Sequence, residues 1–514
     1  MEDTHWEHVL RRERYEKALI VNPSDIDTII ELAILLEEDF KEYDSARRYY
    51  EKALDIDAYD EYAHYNLAGL LDEHYQEYDK AREHYETALI IEPDDSYTHN
   101  NLGLLLQKHF NEYAAAAQHY KRAIEIDPFN GRAYHNYAVH LECNLKEYDK
   151  ARVMYETAID LEPDHDNYLA DYADLREEYY KDYKFAIETH LKRLETIERG
   201  LSAKDQSDAS EAAFSKKRAD LNDTIARIYS DKLADVDKAK PYFERAKHFY
   251  ESALTKGPDD AGCRCDYAGV LDELSLYMEA RFQLEKALET DPSHYLSHNN
   301  LGNLLDDQFE AYDLAKAHYA KAIEAEPDNP LAYFNYGILC KRQKENDNAE
   351  QYFKKAIALD PGYMNAAMCL ADLYANHLSN FSEARKWFEK ALEIAPQDPE
   401  IHFELARILD NNFREHELAR YHYEQALVID PSDIYTLNNL GLLHEEYYAD
   451  KTKAAEYYTR AIEIDPKYAL AHYNLAELFV QNADKLQSAK EHYIKATDID
   501  PDLRDANLDS KFGI

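Results

Sequence analysis

The chain has 514 residues and sets 59 Lys and Arg against 103 Asp and Glu, a formal net charge of −44. A field of that sign repels phosphate backbones and anionic headgroups, which argues against nucleic acid and membrane surfaces as partners and favours basic segments of other proteins. The five cysteines are odd in number and scattered, unlike a disulfide framework or a zinc site, and no apolar run approaches the roughly 18 residues of a membrane helix.

Residues 1–25 open on Met1-Glu2-Asp3, acid where a secretory signal carries base, and read as one helix bearing Trp6 and Tyr15 that caps the helices after it. From residue 26 the sequence repeats. Pro93, Pro128 and Pro163 stand 35 residues apart and, with Pro23 and the proline-free Asp57-Ala58, mark four units over 26–165. Five residues before these anchors stands alanine (Ala53, Ala88, Ala123, Ala158), and eight before stands tyrosine (Tyr50, Tyr85, Tyr120, Tyr155). Twelve before is alanine again, as at Ala81 and Ala116.

Small, large and small residues at steps of four and three share one helical face, so a neighbouring helix approaches over the alanines and the ring fills the gap. This second helix of each unit, helix B, stops at the proline, and the polar residues after it cap the next helix, as in Pro93-Asp94-Asp95-Ser96. Helix A is centred on Leu-Gly or Leu-Ala, for example Leu67-Ala68, Leu102-Gly103, Leu301-Gly302 and Leu440-Gly441. Where a unit has 35 residues rather than 34, the extra one falls in the turn between the helices: Leu102 to Ala116 spans 14 steps, Tyr267 to Ala280 spans 13.

Residues 166–260 hold two divergent, lengthened units, with a small, polar stretch near 200–211 that reads as a mobile loop. Ala239-Phe243-Ala246 is followed in the same phase by Ala246-Tyr250-Ala253, which predicts a helix B longer by about two turns. Pro241 is compatible with that helix only in its first turn. Regular units seven to thirteen follow over 261–503, and 504–514 is a C-terminal tail.

A helix pair carrying Leu-Gly/Ala and then Ala, an aromatic, Ala and Pro at these spacings resembles the tetratricopeptide repeat. The resemblance covers nearly the whole chain. It implies an all-α solenoid, a right-handed superhelix of antiparallel helix pairs, about 13 repeats long, with no catalytic domain. A tetratricopeptide array implies a protein-binding scaffold.

Directly before the helix A leucine stands asparagine at Asn66, Asn101, Asn136, Asn300, Asn335, Asn439 and Asn474. By family geometry this position faces the concave side, where a carboxamide can pair with the amide and carbonyl of an extended peptide. The pattern is similar to the asparagine ladder in the tetratricopeptide region of O-linked N-acetylglucosamine transferase, which grips polypeptide backbone. Glu31, Asp171, Asp266, Cys369 and Glu404 interrupt it. Asparagine here also suits bonding between neighbouring repeats, and the sequence leaves both roles open.

Further along helix A come acid pairs, among them Glu37-Glu38, Asp72-Glu73, Glu177-Glu178, Asp272-Glu273, Asp306-Asp307 and Glu445-Glu446. They suggest an acidic lining that selects Lys and Arg. Lys341-Arg342 is the one comparable basic pair, too little for a groove that holds a terminal carboxylate. His64, His99, His298, His402 and His472 share one helix A register and read as packing residues. No phosphate loop, nucleophile elbow or metal-binding motif occurs, so no enzyme activity, cofactor or metal is expected.

The expected function is therefore an interaction scaffold for extended, basic peptide segments, in a cytoplasmic or other intracellular setting. An architectural subunit that binds through its ends or convex face is the alternative. Oligomeric state is not encoded in any of these features.

Overall fold

The computed structural model describes residues 2–201 and 208–514. Every regular element among them is helical, 28 α-helices with short π and 3₁₀ turns and no strand. Helix pairs follow one another as a solenoid of about 13 repeats, the fold that the periodicity predicts. The chain divides into two compact units, Met1–Ser275 and Leu276–Ile514.

Repeat 2 shows why these residues form these elements. Helix B, Tyr78–Ile91, buries Ala81, Tyr85 and Ala88 on one face, and the Glu92 N–H closes its end on the Ala88 carbonyl. Asp95 then caps helix A of repeat 3, Ser96–Leu105, by accepting from the backbone of Tyr97 and Thr98. Among the described residues the helix B rings, from Tyr50 and Tyr85 to Tyr458 and Tyr493, are the largest fully buried side chains. They lie against the Leu-Gly/Ala position of helix A: a Cβ on Gly441 would come within 2.4 Å of the Tyr458 ring. Glycine there lets the ring pass close to the backbone.

The hydrogen bond that closes the turn between the helices locates the extra residue of the longer repeats. It runs from Glu112 N–H back to Leu106 in a 35-residue repeat, and from Glu345 N–H back to Cys340 in a 34-residue one. In the longer form, helix A of repeat 3 ends in a wide π turn, Leu106–Phe110, followed by Asn111 in the left-handed region.

Adjacent repeats are stapled by an arginine of helix B. Arg47 bonds Glu51 one turn on at 2.8 Å and Glu77 of the next repeat at 2.9 Å, with its guanidinium over the Tyr75 ring. Arg12, Arg82 and Arg385 repeat the arrangement with Phe40, Phe110 and Phe413. Ala117 stands where the series would continue after Arg82.

In the divergent segment, helix B of repeat 5 spans Tyr183–Leu201, and repeat 6 consists of Asp208–Arg227 and Val236–Lys256. The last has 21 residues against 14 for an ordinary helix B. Pro241 is its sixth residue, beyond the first turn to which sequence reasoning confined it. Lacking an N–H, it leaves the Asp237 carbonyl without its helical donor. Of the stretch near 200–211, residues 202–207 lie outside the described residues. At the C-terminus, Ala506–Phe512 forms a short helix that lays Leu508 and Phe512 on Ala489 and Tyr493, covering the last helix B.

Candidate peptide-binding site

The seven predicted asparagines are placed at one register of helix A, and their amides are largely committed to neighbours within each unit. In the first unit, Asn66 donates to the Tyr62 carbonyl of its own helix at 2.8 Å. Asn136 donates to Asn100 at 2.9 Å, Asn100 to Asn101 at 3.1 Å, and Asn101 to the Tyr65 hydroxyl at 3.1 Å, a relay through three repeats. In the second unit Asn335 donates to Asn299 at 2.9 Å and Asn299 to Asn300 at 3.2 Å. Asn474 donates to Asn438 at 2.9 Å, and Asn439 to the Tyr423 hydroxyl at 3.4 Å. Asn100, Asn299 and Asn438, the buried members of Asn-Asn doublets, were not singled out from sequence, although the doublet itself was the signal. One engaged N–H leaves the amides of Asn136, Asn335 and Asn474 a second donor.

The acid pairs have two kinds of member. The first is half-buried and in repeats 1 and 12 is reached through the repeat by the helix B tyrosine: Tyr50 donates to Glu37 at 2.8 Å and Tyr458 to Glu445 at 3.1 Å, as Tyr155 does at 2.7 Å to Glu142, whose neighbour is Cys143 rather than an acid. The second, as at Glu73 and Glu446, is exposed. Burial raises the carboxyl pKa of Glu37, Asp72, Glu142 and Glu445, and neighbouring carboxylates, such as Glu73 beside Glu37, raise it further. Asp174 is pushed up to about 6 by burial and then by Asp171. Burial raises Asp306 as well, although it and Asp307 both bind Arg342, at 2.8 and 2.9 Å.

Within the first unit a cavity of about 310 Å³ gathers several predicted residues. Asp72, Glu73, Asn101 and Asn136 line it with His135 and Tyr168. Asp72 also lies 3.5 Å from His109. The remaining predicted residues, Asn300, Asn335, Asn439, Asn474, Asp306, Asp307, Glu445 and Glu446, belong to the second unit. Among the described residues no group of three His, Cys, Asp or Glu is arranged to hold a metal ion. No described helix is long and apolar enough to cross a membrane.

Sequence profiles of the tetratricopeptide repeat match residues 39–103, 76–131 and 119–153 in the first half, and 308–363, 341–402, 378–434, 434–468 and 457–491 in the second. Together they span more than half of the chain. It belongs to the tetratricopeptide-repeat family. Among solved structures, yeast Tom70 is 18% identical with a TM-score of 0.39, over 88% of this chain and 93% of that one. Cut9–Hcn1, an APC/C hetero-tetramer, is 14% identical with a TM-score of 0.39, over 95% and 96%. YrrB, described as a tetratricopeptide protein with an unusual peptide-binding site, is 24% identical with a TM-score of 0.32, over 37% of this chain and 95% of that one. Likeness of this size concerns the repeat fold alone. No curated protein matches the sequence.

Inside these tetratricopeptide repeats the helix A histidines have partners that sequence reading missed. His64 meets His84 Nδ1 to Nδ1 at 2.7 Å, and His99, His298, His402 and His472 meet His119, His318, His422 and His492 at 2.8 to 2.9 Å. His64 Nε2 contacts the Ala58 carbonyl, and in the other pairs the acceptor is the carbonyl of the repeat's proline. A carbonyl only accepts, so Nε2 carries the proton, Nδ1 of the helix A ring accepts, and the helix B ring donates. Burial, followed by the facing imidazole, lowers the pKa of His84, His119, His318 and His422 to about 4, which keeps these helix B rings neutral at physiological pH. The one signal in the sequence was a second histidine 20 residues after each.

Proposed function

We propose that this tetratricopeptide-repeat protein is an interaction scaffold that holds extended, basic segments of other proteins on the acidic, asparagine-bearing face of its helices A. The observation that carries the reading is the cavity where Asp72 and Glu73 meet Asn101 and Asn136. Carboxylates there attract a cationic side chain in addition to the lining Arg132, while the spare amide donor of Asn136 can bond its backbone. The net charge of −44 draws such segments in, and salt weakens that attraction.

The test is fluorescence anisotropy of a labelled basic peptide with the full chain across a salt series. Binding is expected to weaken with salt and to fall by about tenfold in Asp72→Asn/Glu73→Gln, with helicity unchanged. A chain that ignores basic peptides, or a double variant that binds as well as the parent, overturns the reading.

A second reading, docking through the outer ridges, is favoured by apolar side chains exposed at helix B ends and the turns after them, Ile90, Phe129 and Val428. It predicts a partner whose binding survives the acid-pair variant and is lost in Ile90→Ser/Phe129→Ser.

A further inference from the structure

Lysine and arginine both answer to an acidic surface, but they present different donors. An ammonium is a compact point charge, whereas a guanidinium is a planar fork able to bond two carboxylates at once. The helix A acid pair recurs in repeats 1, 2, 5, 7, 8 and 12, and two of its six copies already hold a guanidinium from within the chain. In repeat 8, Arg342 Nη1 lies 2.8 Å from Asp306 and 2.9 Å from Asp307. In repeat 7, Glu273 binds Arg227 of repeat 6 at 3.0 Å.

Arg342 and Lys341 themselves occupy the acid-pair position of repeat 9, so this repeat supplies base where its siblings supply acid. Arg342 reaches back to repeat 8, and Lys341 reaches forward to Asp372 of repeat 10 at 2.8 Å. The Asp306 side chain that Arg342 binds is only 4% exposed. By contrast, no lysine or arginine among the described residues lies within ion-pair distance of the pairs in repeats 1, 2, 5 and 12. Glu37 and Glu445 accept from tyrosines, and Asp72 has His109 at 3.5 Å, with Lys108 and the cavity-lining Arg132 beyond ion-pair distance.

We infer that the acid pairs are guanidinium receptors: Arg342 is a built-in occupant that closes the pair in repeat 8, and the open pairs, Asp72-Glu73 foremost, take arginine side chains from a partner. The inference rests on the basic-segment reading above and narrows it from cation to arginine. Two adjacent carboxylates repel each other until one cation bridges them, as Arg342 does through Nη1, and a planar guanidinium loses less conformational freedom per bond than a flexible ammonium.

The full chain is titrated with labelled octaarginine and octalysine at matched ionic strength. Octaarginine is expected to bind about fivefold more tightly, and Asp72→Asn/Glu73→Gln to remove most of that preference. Arg342→Gln uncovers Asp306 and Asp307, so it is expected to strengthen octaarginine binding by about threefold while leaving octalysine unchanged. Arg342→Met repeats the test with the packed stem kept, and circular dichroism checks that both variants fold. Equal affinities for the two peptides, with no gain in either Arg342 variant, overturn the guanidinium assignment and leave the basic-segment reading standing. Failure of both peptides to bind overturns the reading beneath it.

Discussion

Repeats 2 and 3 join helix A to helix B with neutral groups, the buried tyrosine and the pairs His64–His84 and His99–His119. Repeats 5 and 6 use ions. Asp166, in the first turn of its helix A, binds Arg193 of helix B at 2.8 Å and Lys217 of the next repeat at 2.8 Å. Burial would raise the Asp166 carboxyl, but Arg193 and Lys217 outweigh it and hold the pKa at about 2. The divergent segment also gathers buried polar atoms with no protein partner: Arg176 Nε, His190 Nε2, Asn222 Oδ1 and Asp223 Oδ1 among them, while the described residues of repeats 1–3 contribute none. Repeats 1–3, which keep the motif, have complete sets of partners, whereas the regular repeats 8–12 also leave buried atoms over, Tyr295 Oη, Trp387 Nε1 and His444 Nδ1 among them. A repeat that loses the motif must assemble partners singly, and some atoms are left over.

The comparison is tested most strongly where the regular repeats are tightest. Tyr120→Ala removes a fully buried ring and is expected to cost about 3–5 kcal/mol by urea unfolding. A loss below about 1 kcal/mol would mean that neighbouring repeats collapse into the gap.

Arg193→Ala asks the same of the ionic region. It leaves a largely buried carboxylate with Lys217 alone and is expected to cost about 2–3 kcal/mol, with protection from hydrogen exchange lost first over residues 183–201. Uniform loss across the first unit would erase the distinction drawn between its two regions.

The smallest effect separates them by pH. The unfolded chain binds a proton at histidine near pH 6.5, and His84 and His119 do so in the fold only near 4. Stability from these pairs is therefore complete above pH 6.5 and drains away as the pH falls from there towards 4. Partial solvent access reduces the cost to about 1 kcal/mol per pair at pH 5. Asp166, ionised down to about 2, should be indifferent over that range. Thermal melts at about pH 7 and about pH 5 should show a drop in the parent that is smaller in His84→Gln/His119→Gln. An equal drop in both would remove the histidines from the account.

Much of the fold was legible because its determinants are local. Alanine, tyrosine and alanine at steps of four and three share a helix face whatever surrounds them, and proline ends a helix wherever it stands outside the first turn of a new one. Pro241 shows the limit of that rule, since packing along the rest of a 21-residue helix overrode a single missing donor. The candidate site was legible as a register and illegible as a set of contacts. Asn66, Asn101 and the acid pairs announce themselves by recurrence, but recurrence does not say that Asn136 bonds Asn100.

By itself, then, the sequence determined the period, the two helices of each repeat, the buried stripe and the sign of the surface, all properties of residues within a few turns of one another. Tertiary structure alone decided that His64 meets His84, that Arg193 and Lys217 converge on Asp166, and that Arg342 closes over Asp306 and Asp307. These partners lie 20 to 51 residues apart along the chain. Only the docking of helices and the stacking of repeats brings them within the few ångströms at which a hydrogen bond or ion pair forms.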